Sequence, residues 1–195
     1  MSGLDRRAAM AALLADRGDD LVAIPGLGST CWDLAAAGDN DRNFYLWGAM
    51  GGAAMVGLGL ALAQPARRVL VVTGDGEMLM GMGALATIGI QKPANLAVVV
   101  FDNGHYGETG MQPSHTNRGG VDLVAVAEGC GIENVLDVRD EAGLAALAAR
   151  LKTLTSTGPL FARLAIDAAE APRVLPERDG VVLKNRFRAA IGLNA

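Results

Sequence analysis

Two continuous apolar runs on either side of a helical segment constrain the fold more than any other feature of the sequence. Residues 67–73 (RRVLVVT) and 96–101 (LAVVVF) are short and largely β-branched, and the helix-like segment 77–91 separates them. Strands that are apolar on both faces are typical of parallel sheets covered by helices on each side. The pattern predicts a βαβ unit whose two strands end at the same edge of the sheet.

The rest of the chain continues this alternation of strands and helices. The pattern predicts further strands at 20–24, 44–47, 134–138 and 160–166, and helices at 5–17, 30–37, 51–63, 121–130, 140–152 and 184–192. We therefore expect an α/β fold, a three-layer sandwich with a mainly parallel six-stranded sheet. Because the length suits one core and no linker or repeat divides the chain, we expect residues 1–195 to form a single domain.

Composition argues against several classes of protein. The formal charge of −4 and the scattered basic residues give no surface for a phosphate backbone, so we expect no nucleic-acid partner. Cys31 and Cys130 are too far apart in sequence for a zinc or iron–sulfur motif, and they suit a reducing compartment. The uncharged stretch 44–63 contains five glycines, which fits a strand and a buried helix better than a membrane span. We expect a cytoplasmic protein without a membrane partner.

Both strands of the predicted βαβ unit end in polar residues beside glycine. Gly74-Asp75-Gly76 follows the first strand, and Asn103-Gly104 follows the second. The glycines allow backbone N–H groups to approach a ligand, and the helix that starts near Glu77 attracts anions to its N-terminus. Carboxylate and amide oxygens are ligands that Mg²⁺ prefers, and Mg²⁺ commonly bridges phosphates. The sequence therefore predicts a metal-diphosphate site at this edge.

This pair of motifs resembles the signature of the thiamine diphosphate enzymes, in their diphosphate-binding domain. The resemblance covers about residues 20–165 and implies thiamine diphosphate and Mg²⁺ as cofactors. It implies Asp75, Asn103 and the main-chain carbonyl of His105 as metal ligands. Cofactor contacts implied by the resemblance or by position near the motifs are Gly28, Ser29, Gly48, Met50, Gly74, Asp75, Gly76, Glu77, Met78, Asn103, His105, Tyr106 and Gly107.

Individual roles follow from the same resemblance. N–H groups of Gly76, Glu77 and Met78 would meet the diphosphate, Met50 would support the bent cofactor, and Gly48 would offer its carbonyl to the aminopyrimidine. Two positions depart from the family pattern: Asp102 stands where many members have asparagine, and Glu77 where a small residue is usual. For Glu77 we expect stabilisation of the first helical turn.

Within the family the chain resembles the β chains of sulfopyruvate decarboxylase and the matching region of phosphonopyruvate decarboxylase. The segments that carry this resemblance are 45–63, 74–89 and 102–116. It implies one subunit of a split 2-oxo acid decarboxylase. A pyrimidine-binding α subunit would then supply the activating glutamate, and the expected assembly is a hetero-oligomer acting on a small 2-oxo acid.

The polar segment 102–116 supplies the candidates for substrate contact. His115 and Glu108 are the candidate catalytic side chains on this chain, and Arg118 or the partner chain would supply a cation for a sulfonate or phosphonate. The resemblance leaves other reactions open: a 2-oxoacid oxidoreductase β subunit, an acetolactate synthase-like carboligase, or a phosphate-binding regulatory module without enzymatic activity.

Overall fold

A five-stranded parallel sheet with helices on both faces forms the body of the computed structural model, which describes residues 3–117, 119–156 and 158–193. The strands follow the order β1-β2-β3-β7-β6, and β4 and β5 form a separate antiparallel hairpin. The strands are β1 (Leu21–Pro25), β2 (Arg68–Gly74), β3 (Leu96–Asp102), β4 (His105–Tyr106), β5 (Gln112–Pro113), β6 (Asn134–Val138) and β7 (Leu160–Ala165). The helices are α1 (Arg6–Leu14), α2 (Ser29–Ala36), α3 (Ala53–Ala63), α4 (Asp75–Met80), α5 (Ala84–Gln91), α6 (Leu123–Gly129), α7 (Glu141–Lys152) and α8 (Gly180–Ala190).

The two apolar faces of the sheet explain why the strands lack polar alternation. Side chains from β1, β2 and β3 point alternately to a core with α1, α2 and α7 and to a core with α3, α5 and α6. Every residue of β1 and of β3 is buried. Helix α8 reaches both cores, since Leu183 packs in the first while Phe187 and Ile191 pack in the second. The predicted three-layer architecture is therefore confirmed.

The predicted count of six strands is wrong, because residues 44–47 do not form a strand. Next to this segment a single bridge pairs Ala23 with Asn43, and no ladder extends it. The aromatic residues that suggested a strand are used for packing instead. The Phe44 ring lies 5.2 Å from the Phe187 ring, and Tyr45 is buried with its hydroxyl bonded to Asp39 and Asn43.

Three other parts of the prediction differ from the structure, and the first helix also ends at Leu14 rather than at 17. The helix predicted at 77–91 is two helices, α4 and α5. The helix is interrupted at residues 81–83, where Gly81 passes close to the backbone of Gly51. The segment predicted as a loop at 102–120 contains the β4–β5 hairpin. The terminal helix begins at Gly180 rather than at 184, because the Asp179 carboxylate accepts hydrogen bonds from the N–H groups of Val181 and Val182.

In the described residues, no helix is both long and apolar enough to cross a membrane.

Candidate active site

A cavity of about 170 Å³ opens where the sheet strands end, and most of the predicted ligand residues line it. It is bounded by the loop after β1, the turn after β2 and the hairpin after β3. From the predicted set, the residues that line the cavity are Ser29, Met50, Gly74, Asp75, Gly76, Glu77, Asn103, His105, Tyr106, Gly107 and Glu108. Met50 is 43% exposed there and is not a core methionine.

Asp75 and Asn103 lie on the same edge of the sheet, as the strand order predicts. Gly74 pairs with Phe101 in the parallel register of β2 and β3. Asp75 and Asp102 therefore follow at matching positions on neighbouring strands, and Asn103 comes one residue later. The two predicted metal-binding side chains both line the cavity.

Asp75 is a buried carboxylate with no cationic partner among the residues described. It is 2% exposed, and one of its oxygens accepts hydrogen bonds from Ser114 Oγ at 2.5 Å and Thr116 Oγ1 at 3.3 Å. Burial raises the pKa of Asp75 to about 6, the Ser114 hydrogen bond opposes this, and the nearby Asp102 charge adds to it. A cation bound beside this carboxylate would remove the cost of the buried charge.

Asp102, the first departure from the family pattern, already has its counter-charge. Arg163 Nε lies 2.5 Å from its carboxylate, which also accepts from Thr116 Oγ1 at 2.8 Å and from the Gly104 N–H at 2.9 Å. The charge of this carboxylate is thereby paired, and its hydrogen bonds fix the start of the hairpin. Of the two neighbouring carboxylates, Asp75 is the one left to meet an added cation.

Asn103 and His105 form a tight turn at the end of β3. The Asn103 side-chain oxygen accepts from the His105 N–H at 2.9 Å, and His105 Nδ1 lies 2.7 Å from the Asn103 carbonyl. Because a carbonyl only accepts, His105 Nδ1 must carry the proton of this hydrogen bond. Gly104 takes φ +68° between them, a conformation that favours glycine. The turn holds both residues against the cavity.

Glu77 does more than stabilise the first turn of α4, the role expected from the sequence. Its buried carboxylate accepts hydrogen bonds from Thr73 Oγ1 at 2.8 Å, the Leu27 N–H at 3.1 Å and the Gly51 N–H at 3.2 Å. Burial raises the pKa of Glu77, and these donors oppose the rise. One side chain therefore joins the end of β2 to the two loops that carry the other predicted cofactor contacts.

Four predicted residues do not line the cavity. Gly48 has no neighbour within 4 Å of its Cβ position. Met78 lies on α4, and its side chain is buried in the second core. Gly28 lies beneath Glu108, whose carboxylate oxygen is 2.9 Å from the Cβ position of that glycine. His115 is outside the cavity lining, but its Nδ1 lies 2.6 Å from the Tyr106 hydroxyl. Arg118, the expected cation, lies outside the described residues.

The donor set is compatible with Mg²⁺ shared with a diphosphate. In the described parts of the chain no three His, Cys, Asp or Glu side chains converge to hold a metal on their own. Asp75 without a counter-charge, the Asn103 amide and the turn carbonyls offer a few hard oxygen ligands, and Mg²⁺ typically completes its shell with phosphate oxygens and water. The residues present therefore fit the implied metal and cofactor.

Sequence reasoning missed several residues of this region. Ser114 hydrogen-bonds Asp75 and had no signal beyond its place in a polar loop. The same cavity is also lined by Arg6, Arg7, Trp32, Asp33 and Arg173, which come from α1, α2 and the loop after β7. No local motif joins these segments, because only the tertiary fold brings them together.

Comparison with known proteins identifies the family. The sequence family "Thiamine pyrophosphate enzyme, C-terminal TPP binding domain" matches residues 26–163. Phosphonopyruvate decarboxylase of Streptomyces viridochromogenes is 41% identical over 95% of this chain, and this chain spans 46% of that enzyme. Sulfopyruvate decarboxylase subunit beta of Methanothermobacter thermautotrophicus is 37% identical over 87% of this chain and 86% of that subunit.

The fold has the same neighbours. The thiamine diphosphate-dependent 4-hydroxybenzoylformate decarboxylase of Rhodococcus jostii superposes with a TM-score of 0.72 at 22% identity, over 88% of this chain and 34% of that one. A second neighbour, from Mycobacterium smegmatis and described as a thiamin diphosphate-dependent enzyme, gives a TM-score of 0.70 at 24% identity, over 86% of this chain and 32% of that one. The chain therefore belongs to the thiamine pyrophosphate enzymes, and residues 26–163 are its C-terminal TPP binding domain.

Proposed function

We propose that this chain is one subunit of a split, Mg²⁺-dependent thiamine diphosphate decarboxylase that acts on a 2-oxo acid of the sulfopyruvate or phosphonopyruvate type. Residues 1–195 would serve as one domain, the half of the active site that holds the diphosphate and the metal. The observation that carries the proposal is the cavity in which Ser29, the turn at Asp75 and Asn103 meet.

Each group has a role that follows from its position. Asp75 and the Asn103 amide oxygen, with the main-chain carbonyl of His105, would hold Mg²⁺, and the N–H groups at the start of α4 would hold the phosphates. Ser29, which lines the cavity, would bind the same phosphates from the loop after β1, whereas Gly28 could do so only if Glu108 moved away. Thiamine diphosphate, when bound, supplies the electron sink for the pair of electrons left when a 2-oxo acid loses CO₂.

A separate partner chain is supported by two observations. The Methanothermobacter relative is named as a subunit, and this chain spans 86% of its length. In addition, apolar side chains on α3, α4 and α5 are exposed: Met55 (44%), Leu62 (51%), Met80 (65%) and Ile90 (79%). Large exposed apolar groups on neighbouring elements are typical of interaction surfaces. We propose that this surface, here named the apolar surface, binds a pyrimidine-binding α subunit.

The test is co-purification with the associated chain, followed by measurement of CO₂ release. The assay uses sulfopyruvate, phosphonopyruvate and pyruvate with thiamine diphosphate and Mg²⁺, and without an electron acceptor. We expect CO₂ and a free aldehyde from one of the first two substrates. Release only with an electron acceptor would indicate a 2-oxoacid oxidoreductase, and a condensed hydroxyketone would indicate a carboligase. Calorimetry that detects ATP or NAD binding but no thiamine diphosphate binding would indicate a regulatory module.

Asp75→Asn should weaken the joint binding of thiamine diphosphate and Mg²⁺ to the complex by at least about tenfold, because the variant loses the buried charge next to the metal. The matched control is Asp16→Asn, an exposed carboxylate paired with Lys152 away from the cavity. Equal cofactor affinity in the two variants would contradict the assignment of Asp75 as a metal ligand.

A further inference from the structure

The N-terminal segment reaches the cavity because it pairs with the end of β7. Leu4 forms a parallel bridge with Ile166, and the N–H of Asp167 donates to the Leu4 carbonyl at 2.9 Å. A terminal nitrogen of Arg7 also donates to the carbonyl of Pro172. These contacts hold the first turn of α1 against the loop after β7. Arg6, Arg7 and Arg173 are brought together there and line the cavity.

A single buried carboxylate orients two of these arginines. Asp33 is 1% exposed, and its two oxygens accept from Arg6 Nε at 2.7 Å and Arg7 Nε at 2.6 Å. One negative charge therefore holds two positive charges. The side chain of Arg6 is only 11% exposed, and no described residue accepts a hydrogen bond from its terminal nitrogens. These terminal nitrogens are not among the buried polar atoms that lack a partner, so they are open to the cavity, where an anion can accept their N–H groups.

The third arginine adds a further charge at the same end of the cavity. The Arg173 guanidinium lies 4.5 Å from the centre of the Trp32 ring, a cation–π contact, and it forms no ion pair within the described parts of the chain. Among the acidic residues that line the cavity, Asp33 is already paired and Glu77 is bonded to its three donors. Asp75 lies at the turn after β2, and Glu108 and Glu170 are exposed. Three guanidinium groups therefore lie around one paired carboxylate, Asp33, with Glu170 exposed on the same loop as Arg173.

We propose that Arg6, Arg7 and Arg173 form a subsite for a tetrahedral oxyanion, the phosphonate or sulfonate group of the substrate. The proposal rests on the proposed function for the reaction itself. Guanidinium groups suit this role because their planar donors match the oxygens of such an anion in pairs. Asp33 acts as a positioning residue that fixes the two guanidinium planes. This chain, rather than its partner, would then select substrates that carry such an anionic group.

The test is a binding titration with phosphonoacetate, which carries the phosphonate group but lacks the reactive 2-oxo group. Propionate, which has a carboxylate but no phosphonate, is the comparison ligand. Titrations of the full chain, and of the complex with its partner, are run with and without saturating thiamine diphosphate and Mg²⁺. We expect phosphonoacetate to bind in both conditions and propionate at least about tenfold more weakly. Arg173→Gln and Arg6→Gln should each weaken phosphonoacetate binding by at least about tenfold.

Arg173→Gln removes an exposed side chain that has no ion pair with any described residue, so we expect the variant to fold like the parent chain. The matched control is Arg139→Gln, an arginine paired with Asp137 outside the cavity, which should bind phosphonoacetate like the parent chain. Unchanged phosphonoacetate affinity in both cavity variants would overturn the proposal. It would equally be overturned if these variants weakened only thiamine diphosphate, since the arginines would then serve the cofactor. Phosphonoacetate binding in a complex that binds no thiamine diphosphate would refute the proposed function but keep the subsite.

Discussion

Glu77 shows how one side chain can organise a site through its hydrogen bonds to the rest of the protein. Its carboxylate bonds to the loop after β1 through Leu27, to the loop before α3 through Gly51, and to β2 through Thr73. The Cβ position of Gly26 lies 1.5 Å from a Glu77 oxygen, so a larger residue at 26 would displace it. The three segments that surround the cavity therefore depend on a single buried side chain for their relative positions.

Glu77→Gln should lower the free energy of unfolding by about 1–3 kcal/mol. Glutamine replaces one carboxylate oxygen with an NH₂ group, which cannot accept a hydrogen bond and would face the donor that this oxygen binds. Hydrogen exchange should also become faster at the amides of Leu27 and Gly51. Chemical denaturation and mass-spectrometric exchange measure the two effects. Glu108→Gln is the control, since that side chain is exposed. Loss of stability without faster exchange at both amides would contradict the role of Glu77 as a link between the loops.

At the scale of elements, the break between α4 and α5 depends on a close backbone approach. A Cβ on Gly81 would lie 2.2 Å from the Gly51 carbonyl oxygen, so glycine allows the loop before α3 to contact the end of α4. Gly83, two residues later, has no neighbour within 4 Å of its Cβ position. The two glycines offer a matched pair with the same substitution and different surroundings.

Gly81→Ala should destabilise the chain by about 1–3 kcal/mol, because the backbone of residue 51 must move away. Gly83→Ala should be neutral or stabilising by up to about 1 kcal/mol, since it lowers the entropy of the unfolded chain without a clash. Thermal and urea denaturation of the two variants provide the measurement. Equal effects at both positions would show that the approach of Gly51 and Gly81 is not needed for stability.

The same elements show which parts of the fold are readable from sequence. The apolar runs of β2 and β3 identified the parallel unit, because burial on both faces removes polar alternation. The pattern could not locate the break in 77–91, since its cause is the distant Gly51. It also assigned a strand to 44–47, because aromatic residues that fill a core resemble those that fill a sheet.

The site divides in the same way. Asp75, Asn103 and their glycines follow strands directly, so the topology of neighbouring parallel strands was enough to bring them together. The Arg6–Asp33 and Arg7–Asp33 pairs join residues from different helices, and no periodicity or spacing announces them. The role of Glu77 was underestimated for a similar reason: its partners, Leu27 and Gly51, lie in other segments of the chain.

At the scale of the whole molecule, the apolar surface predicts how the proposed complex assembles. Met55→Glu places a charge on α3 among exposed apolar groups, and it should abolish co-purification of the partner chain because burying an unpaired charge is costly. The thermal stability of the isolated chain should not change, since Met55 is already 44% exposed. Val181→Glu, at an exposed position on α8, is the control. Co-purification with both variants would place the partner elsewhere.

A buried thiol in the first core, Cys31, should make the stability of the chain depend on pH in the alkaline range. Burial, and next the charge of Glu77, raise the pKa of Cys31 to about 12. In the unfolded chain a thiol ionises near pH ~8.5. Above that pH the unfolded chain gives up a proton that the folded chain retains. The free energy of unfolding should therefore fall by about 1.4 kcal/mol per pH unit up to about pH 12.

Urea denaturation between about pH 8 and about pH 9 measures the onset of this slope before most tyrosine ionisation. Cys31→Ala should remove up to about one proton's worth of the slope. An unaltered slope in Cys31→Ala would mean that this thiol does not control the alkaline loss of stability.

The pairing of Leu4 with Ile166 also has a practical consequence for any fusion protein. Leu4 lies next to the cavity, so polypeptide attached ahead of it would start beside the cavity opening. The other end of the chain lies near the opposite end of the strands, where Arg67 donates a hydrogen bond to the Ile191 carbonyl. A purification tag or reporter placed after Leu193 therefore starts on the far side of the molecule. The same reporter attached at the N-terminus would lie beside the opening through which ligands enter the cavity.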